Sequence, residues 1–171
     1  MKLEKARAIA EEVKSLLELG CHRIEIAGSI RQRKPEVENV ELLCIPKIAD
    51  DVDRLEQEII DLMLREILVF RLNKRDSGTY SPKNKLMLHI PSGIGMDIFS
   101  TDFECWSMDL VLMTGGEKTN KMIATAALEK GWRWYVYGRG FTTPNGEIIC
   151  RSECEVFELV GLPYLDPWQR E

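Results

Sequence analysis

The stretch Ala27-Gly28-Ser29-Ile30-Arg31-Gln32-Arg33-Lys34-Pro35-Glu36-Val37-Glu38-Asn39-Val40-Glu41 places a Gly-Ser turn between two alternating apolar runs. Upstream, Ile24 and Ile26 alternate with Arg23 and Glu25, the period-two pattern of a half-buried strand that stops at Gly28-Ser29. Downstream, residues 37–45 read as a second strand closed by Pro46. On it Asn39 and Glu41 point to one side, while Val40 and Leu42 point to the other. A Gly-Ser turn lets backbone N–H groups approach a phosphate closely. Oxygen-bearing side chains at i and i+2 share a strand face, which suits a hard divalent cation. Asp97, in the apolar run Met96-Asp97-Ile98-Phe99, offers a third oxygen donor from another strand. A carboxylate there is poorly explained by packing, because a buried charge needs partners.

Working outward, Leu3, Ala6, Ile9, Ala10, Val13, Leu16 and Leu17 predict a first helix over residues 3–19, ended by Gly20. A second helix is expected over 50–66, with Val52, Leu55, Ile59, Ile60 and Leu62 as its apolar stripe. Its acidic residues, Asp50, Asp51, Asp53, Glu56, Glu58 and Asp61, read as a solvated face. Strands are expected over 67–72 and 85–90, joined by the turn-rich residues 73–84, and over 96–100. The pattern is that of an α+β fold, a mixed sheet with helices on one face.

The character changes near Thr101, where a boundary is placed between units 1–101 and 102–171. Helices are expected over 103–113 and 118–130, interrupted at Thr114-Gly115-Gly116. Residues 134–137 and 147–151 suggest a small hairpin around Pro144-Asn145-Gly146. Ser152-Glu153-Cys154-Glu155 matches a capping box before a last helix that Gly161 ends.

With 171 residues and 44% hydrophobic content, the chain can bury a core. No apolar run is long enough to span a bilayer and no secretory signal is evident, so a cytoplasmic protein is expected, without a membrane partner and as a monomer. Five cysteines without a Cys-x-x-Cys read as free thiols rather than a zinc site. The net charge of −5 and pI near 5.3 run against the basic footprint of a nucleic-acid binder. Basic residues do lead in the segment with Lys118, Lys121, Lys130, Arg133 and Arg139.

The quoted stretch resembles the Gly-Ser…Asp-x-Asp/Glu signature of polymerase-beta-type nucleotidyltransferases. Thr114-Gly115-Gly116…Asn120-Lys121 resembles the Thr-Gly-Ser element of X-family DNA polymerases, and Phe157-Glu158-Leu159-Val160-Gly161-Leu162-Pro163-Tyr164…Pro167-Trp168-Gln169-Arg170-Glu171 is similar to their C-terminal tail. The resemblance implies a minimal palm-plus-thumb nucleotidyltransferase that adds a nucleotide from a nucleoside triphosphate to a DNA 3′-hydroxyl, on gapped or primer-template DNA. It implies two Mg²⁺ ions, for which Mn²⁺ can substitute, held by Glu41 and Asp97 with Asn39 as a weak third ligand. Gly28, Ser29, Arg31 and Gln32 are expected at the triphosphate, and Thr114, Gly115 and Asn120 along the nucleotide.

Three positions depart from the family pattern. Asn39 stands where the family has its first catalytic aspartate, and an amide lacks the charge that offsets the cation. Gln32 replaces an arginine, losing a fixed charge and its fork geometry. Glu38 replaces a glycine beside the phosphates. These changes imply impaired activity and leave two alternatives open: an inactive nucleotide- or DNA-binding module, or a nucleotidyltransferase with a non-DNA acceptor. Arg31 carries two readings, triphosphate contact or a pin from its loop to a carboxylate, whereas Arg33 and Lys34 read as a solvated loop. Gly93-Ile94-Gly95 reads as a turn. Trp106, Trp132, Trp134 and Trp168 are read as packing residues before stacking platforms.

Overall fold

The computed structural model describes residues 1–71, 80–81 (backbone only), 83–135 and 138–171. Helix α1 (Leu3–Leu17) buries Ala6, Ile9, Ala10, Val13 and Leu17, one stripe at helical spacing. A 3-10 turn at Glu18–Gly20 ends it, and Gly20 is needed there because a Cβ would lie 2.8 Å from the Leu55 Cα. Strand β1 (Cys21–Ile26) leads into a short helix α2 (Gly28–Arg31) and then into β2 (Asn39–Pro46).

A small ribbon, β3 (Ile48–Ala49) with β4 (Val52–Asp53), precedes α3 (Arg54–Leu64). The helix expected over 50–66 therefore starts late. Asp50 and Asp51 hold the ribbon's turn at φ 52° and 60°, a conformation no helix accommodates, and the Asp53 carboxylate caps α3 through the Glu56 N–H at 3.1 Å. Leu55, Ile59 and Leu62 are buried as expected, but Val52 and Ile60 are exposed.

Strands β5 (Leu68–Phe70), β6 (Tyr80–Ser81), β7 (Asn84–His89) and β8 (Ile94–Ser100) complete the main sheet, whose order is β1-β2-β8-β7-β5 with β6 on β7. Most of the turn-rich stretch expected between β5 and β7 lies outside the described residues. Gly93 turns at φ 70°, but Ile94 and Gly95 already belong to β8. All pairs in this sheet are antiparallel except β2 with β8.

Alternation then sorts the two faces. Val40, Leu42, Cys44, Met87, Met96 and Ile98 join α1 and α3 in the principal core. The opposite face of β2 carries Asn39, Glu41, Leu43 and Ile45. Its far end is covered by Trp106 and Leu110 of α4 (Trp106–Thr114), which leaves the end with Asn39 and Glu41 open.

The rest of the chain comprises α5 (Glu117–Glu129), β9 (Arg133–Trp134), β10 (Gly140–Thr143), β11 (Gly146–Ile149) and α6 (Glu153–Leu159). The hairpin forms between β10 and β11, and Trp134 joins the other edge of β10 opposite Phe141; of the expected strand over 134–137, residues 136–137 lie outside the described residues. Ser152 caps α6 through the Glu155 N–H at 3.2 Å, while the Glu155 carboxylate returns to the Arg151 N–H at 2.7 Å. Met108, Val111, Ile123, Ala127, Phe141, Cys150, Val156, Phe157 and Val160 form a second core. Among the described residues no helix is long and apolar enough to cross a membrane.

Polar contacts join this part to the sheet. Arg31 grips Glu153 with both terminal nitrogens, at 2.8 and 2.6 Å, and donates to Thr114 Oγ1 at 2.9 Å. The fully buried Arg170 side chain donates to the same carboxylate at 2.7 Å, and Gln32 donates to the Arg170 carbonyl at 2.9 Å. Burial raises the Glu153 pKa, but the two guanidiniums outweigh it and hold the carboxyl below its usual range. A depressed carboxyl contributes stability above the unfolded pKa and loses it as pH falls through the folded one. Glu153→Gln leaves the buried Arg170 and the half-buried Arg31 without a counter-charge, and is expected to cost about 3 kcal/mol at neutral pH and less in acid. Urea unfolding of both proteins across pH 3 to 8 checks this.

Candidate active site

In-register parallel pairing of β2 with β8 sets Glu41 opposite Asp97 and Asn39 opposite Gly95. The three oxygen-bearing side chains singled out in the sequence therefore share the open face of two adjacent strands. Two glycines make the room. At Gly95 a Cβ would overlap Asn39 Oδ1 and lie 2.7 Å from the nearest Arg71 nitrogen. At Gly28, where φ is 56°, it would overlap Glu41 Oε2. The Glu41 carboxylate thus rests on the Gly28-Ser29 turn and accepts the Ser29 N–H, while its carbonyl accepts the Ala27 N–H at 2.9 Å.

These placements set the charges. Burial, then the Asp97 carboxylate, push the Glu41 pKa up to about 7 against the opposing Ser29 N–H and Lys34. Burial raises Asp97 as well, with the Arg71 guanidinium pulling the other way. Arg71 donates one terminal nitrogen to Asp97 and the other to Asn39 Oδ1, the latter at 3.2 Å. Sequence reasoning missed Arg71. The available signal was a charged residue inside the apolar run Leu68-Val69-Phe70-Arg71-Leu72.

The other expected site residues engage different partners. Arg31 and Gln32 commit their side chains to the seam with Glu153 and Arg170, so for Arg31 the structure realises the pin to a carboxylate. Thr114 accepts from Arg31. Gly115 and Asn120 pack together at the α4–α5 junction, where the Asn120 amide donates to the Leu112 carbonyl at 2.8 Å and its buried Oδ1 meets no donor among the described residues. Glu38 is exposed. Arg33, expected to be merely solvated, lies over the Trp168 ring at 4.2 Å, as Arg23 lies over Trp106. Trp132 and Trp134 pack on the second core.

Asn39, Glu41 and Asp97 form an all-oxygen donor set of the kind a hard divalent cation accepts. With an amide at position 39, no group of three or more acidic, histidine or cysteine ligands forms among the described residues.

Residues 109–171 match the family model described as DNA polymerase beta thumb. The chain also matches a crystal structure of Leishmania infantum polymerase beta in a ternary P/T complex, with a TM-score of 0.75 at 18% identity, covering 100% of this chain and 76% of that one. The chain shares its fold with that polymerase, and its C-terminal 63 residues carry the thumb family's pattern. No curated protein matches it by sequence. The thumb match begins inside α4 and takes in Thr114, Gly115, Asn120, Glu153 and Arg170. The clustered oxygen donors all precede it in the chain.

Two outcomes follow from the packing and charge of this site. Gly28→Ala meets both a left-handed backbone and the Glu41 carboxylate, and should cost about 2 kcal/mol. Adding Glu41→Ala should return part of that loss in a double-mutant cycle of thermal melts. A carboxyl whose folded pKa is raised binds its proton more tightly in the folded state, so its contribution falls as pH climbs from the ordinary glutamate range to about 7. Glu41→Gln should therefore gain stability over the parent at pH 8 relative to pH 5, read from urea midpoints.

Proposed function

We propose that this chain is a nucleotidyltransferase that moves a nucleotide from a nucleoside triphosphate to the 3′-hydroxyl of gapped or primer-template DNA, at a reduced rate. The observation that carries the reading is the in-register placement of Asn39, Glu41 and Asp97 beside the Gly28-Ser29 turn. In this reading residues 1–101 act as the palm and 102–171 as the thumb. Glu41 and Asp97, with Asn39 as the weak member, would hold Mg²⁺ or Mn²⁺, which when bound supplies charge neutralisation at the triphosphate. The Gly28-Ser29 backbone orients the triphosphate, and Gly115 and Asn120 flank the nucleotide. Arg31 and Gln32 serve this geometry from a distance, by fixing the sheet against the α4–α5 junction.

The rate is reduced for electrostatic reasons. The amide of Asn39 brings no charge to offset a bound cation. The basic residues expected to meet DNA are partly occupied, since Lys118 pairs with Glu171, Lys121 with Glu117, and Arg139 with Glu104 and Glu147. A second reading, a nucleotide- or DNA-binding module without turnover, draws on Arg71, whose guanidinium already neutralises Asp97.

Single-nucleotide incorporation on a gapped template with Mg²⁺ or Mn²⁺ tests the proposal. Slow incorporation is expected, falling on the order of 100-fold or more in Asp97→Asn. Nucleotide binding without any incorporation would replace the enzyme by the binding module.

A further inference from the structure

Arg71 is the unexplained group of this centre. It follows the edge strand β5, with its backbone N–H fixed on the Leu86 carbonyl at 2.9 Å. Leu86 lies opposite Asp97, which lies opposite Glu41, so Arg71, Asp97 and Glu41 belong to one row across the sheet. The Arg71 side chain reaches along that row and spreads its fork between Asp97 and Asn39. Gly95 allows this, since a Cβ there would overlap Asn39 Oδ1 and crowd the Arg71 guanidinium.

We propose that Arg71 is the resident cation of this centre: it occupies the Asp97–Asn39 position in competition with a divalent ion, and Asn39 is matched to it rather than to metal. The inference rests on reading Asn39, Glu41 and Asp97 as the cation site. A guanidinium and a divalent ion on the same two oxygens would stand within a few ångströms of each other. At that separation like charges repel strongly in a partly buried setting, so one excludes the other. A neutral amide oxygen can accept an N–H from Arg71 and complete its fork, whereas the same amide is a poor ligand for a divalent ion.

Two features make the guanidinium displaceable. Its Nε–H is buried and meets no acceptor among the described residues, so its hydrogen bonding is incomplete where it sits. Its side chain is 30% exposed at the sheet edge, which gives it a path to solvent. Arg71 leaving and a divalent ion arriving keep the charge on Asp97 balanced throughout, and the binding of one lowers the affinity for the other.

Mn²⁺ binding to the full chain, read by the electron paramagnetic resonance of free Mn²⁺, tests the idea without turnover. Arg71→Gln should tighten Mn²⁺ by about tenfold. Asn39→Asp alone should change it little, because the new carboxylate pairs with Arg71. Asn39→Asp with Arg71→Gln should tighten it by more than the product of the single effects. Unchanged or weaker binding in Arg71→Gln, or the whole gain from Asn39→Asp alone, overturns the proposal. Should Arg71→Gln fail to fold by circular dichroism, Arg71→Met takes its place, since it keeps an unbranched stem of similar length and removes both the charge and the donors. Tighter Mn²⁺ than the parent is then expected, and equal affinity overturns the proposal. The two readings fail separately. Tighter Mn²⁺ with no incorporation in any variant keeps Arg71 and removes the polymerase. Incorporation with unchanged Mn²⁺ affinity does the reverse.

Discussion

The parallel pairing of β2 with β8 is the constraint from which the rest of the molecule follows. Its register sets Glu41 against Asp97, and a slip of one residue would turn every side chain of β2 to the opposite face. The same register commits Val40, Leu42, Met96 and Ile98 to the core under α1 and α3. It also presents Leu43 and Ile45 to α4. One pairing therefore decides the hydrophobic layering and the position of the acidic centre together. The core cannot be repaired around a wrong register without losing the site.

Within that centre, charge is balanced by the protein itself. Two carboxylates on neighbouring strands of a partly buried face would repel each other in isolation. Glu41 is eased by the Ser29 N–H and Asp97 by the Arg71 guanidinium. Asn39 contributes no charge and takes a nitrogen of the same guanidinium. An aspartate at that position would add a third negative charge to a site holding one arginine. The amide at 39 and the arginine at 71 are thus two sides of one electrostatic arrangement.

Much of this was legible in the sequence because it is local. Period-two alternation alone put Asn39 and Glu41 on one face of β2, and an aspartate inside an apolar run singled out Asp97. Helix α1 followed from spacing. What escaped notice depends on partners distant in the chain or on backbone conformations that propensity does not show. Arg71 reaches Asp97 across β7, a relation that no periodicity encodes. Glu153 looked like part of a helix cap, yet its carboxylate serves Arg31 and Arg170. The late start of α3 depends on two aspartates in the left-handed region, which aspartate tolerates better than most residues but does not announce.

The seam between the sheet and the C-terminal part is latched by residues at great separation in the chain, with Arg31 and Glu153 122 positions apart and Gln32 and Arg170 138 apart. Closing a loop of that size costs conformational entropy before any contact compensates for it, whereas β1 with β2 and β10 with β11 join near neighbours. Local pairings can therefore form early, while the Arg31–Glu153–Arg170 latch needs both ends of the chain in place. Because α4 also lays Trp106 and Leu110 on Leu43 and Ile45, that latch closes over an apolar contact, and opening it would expose buried surface as well as unpaired charge.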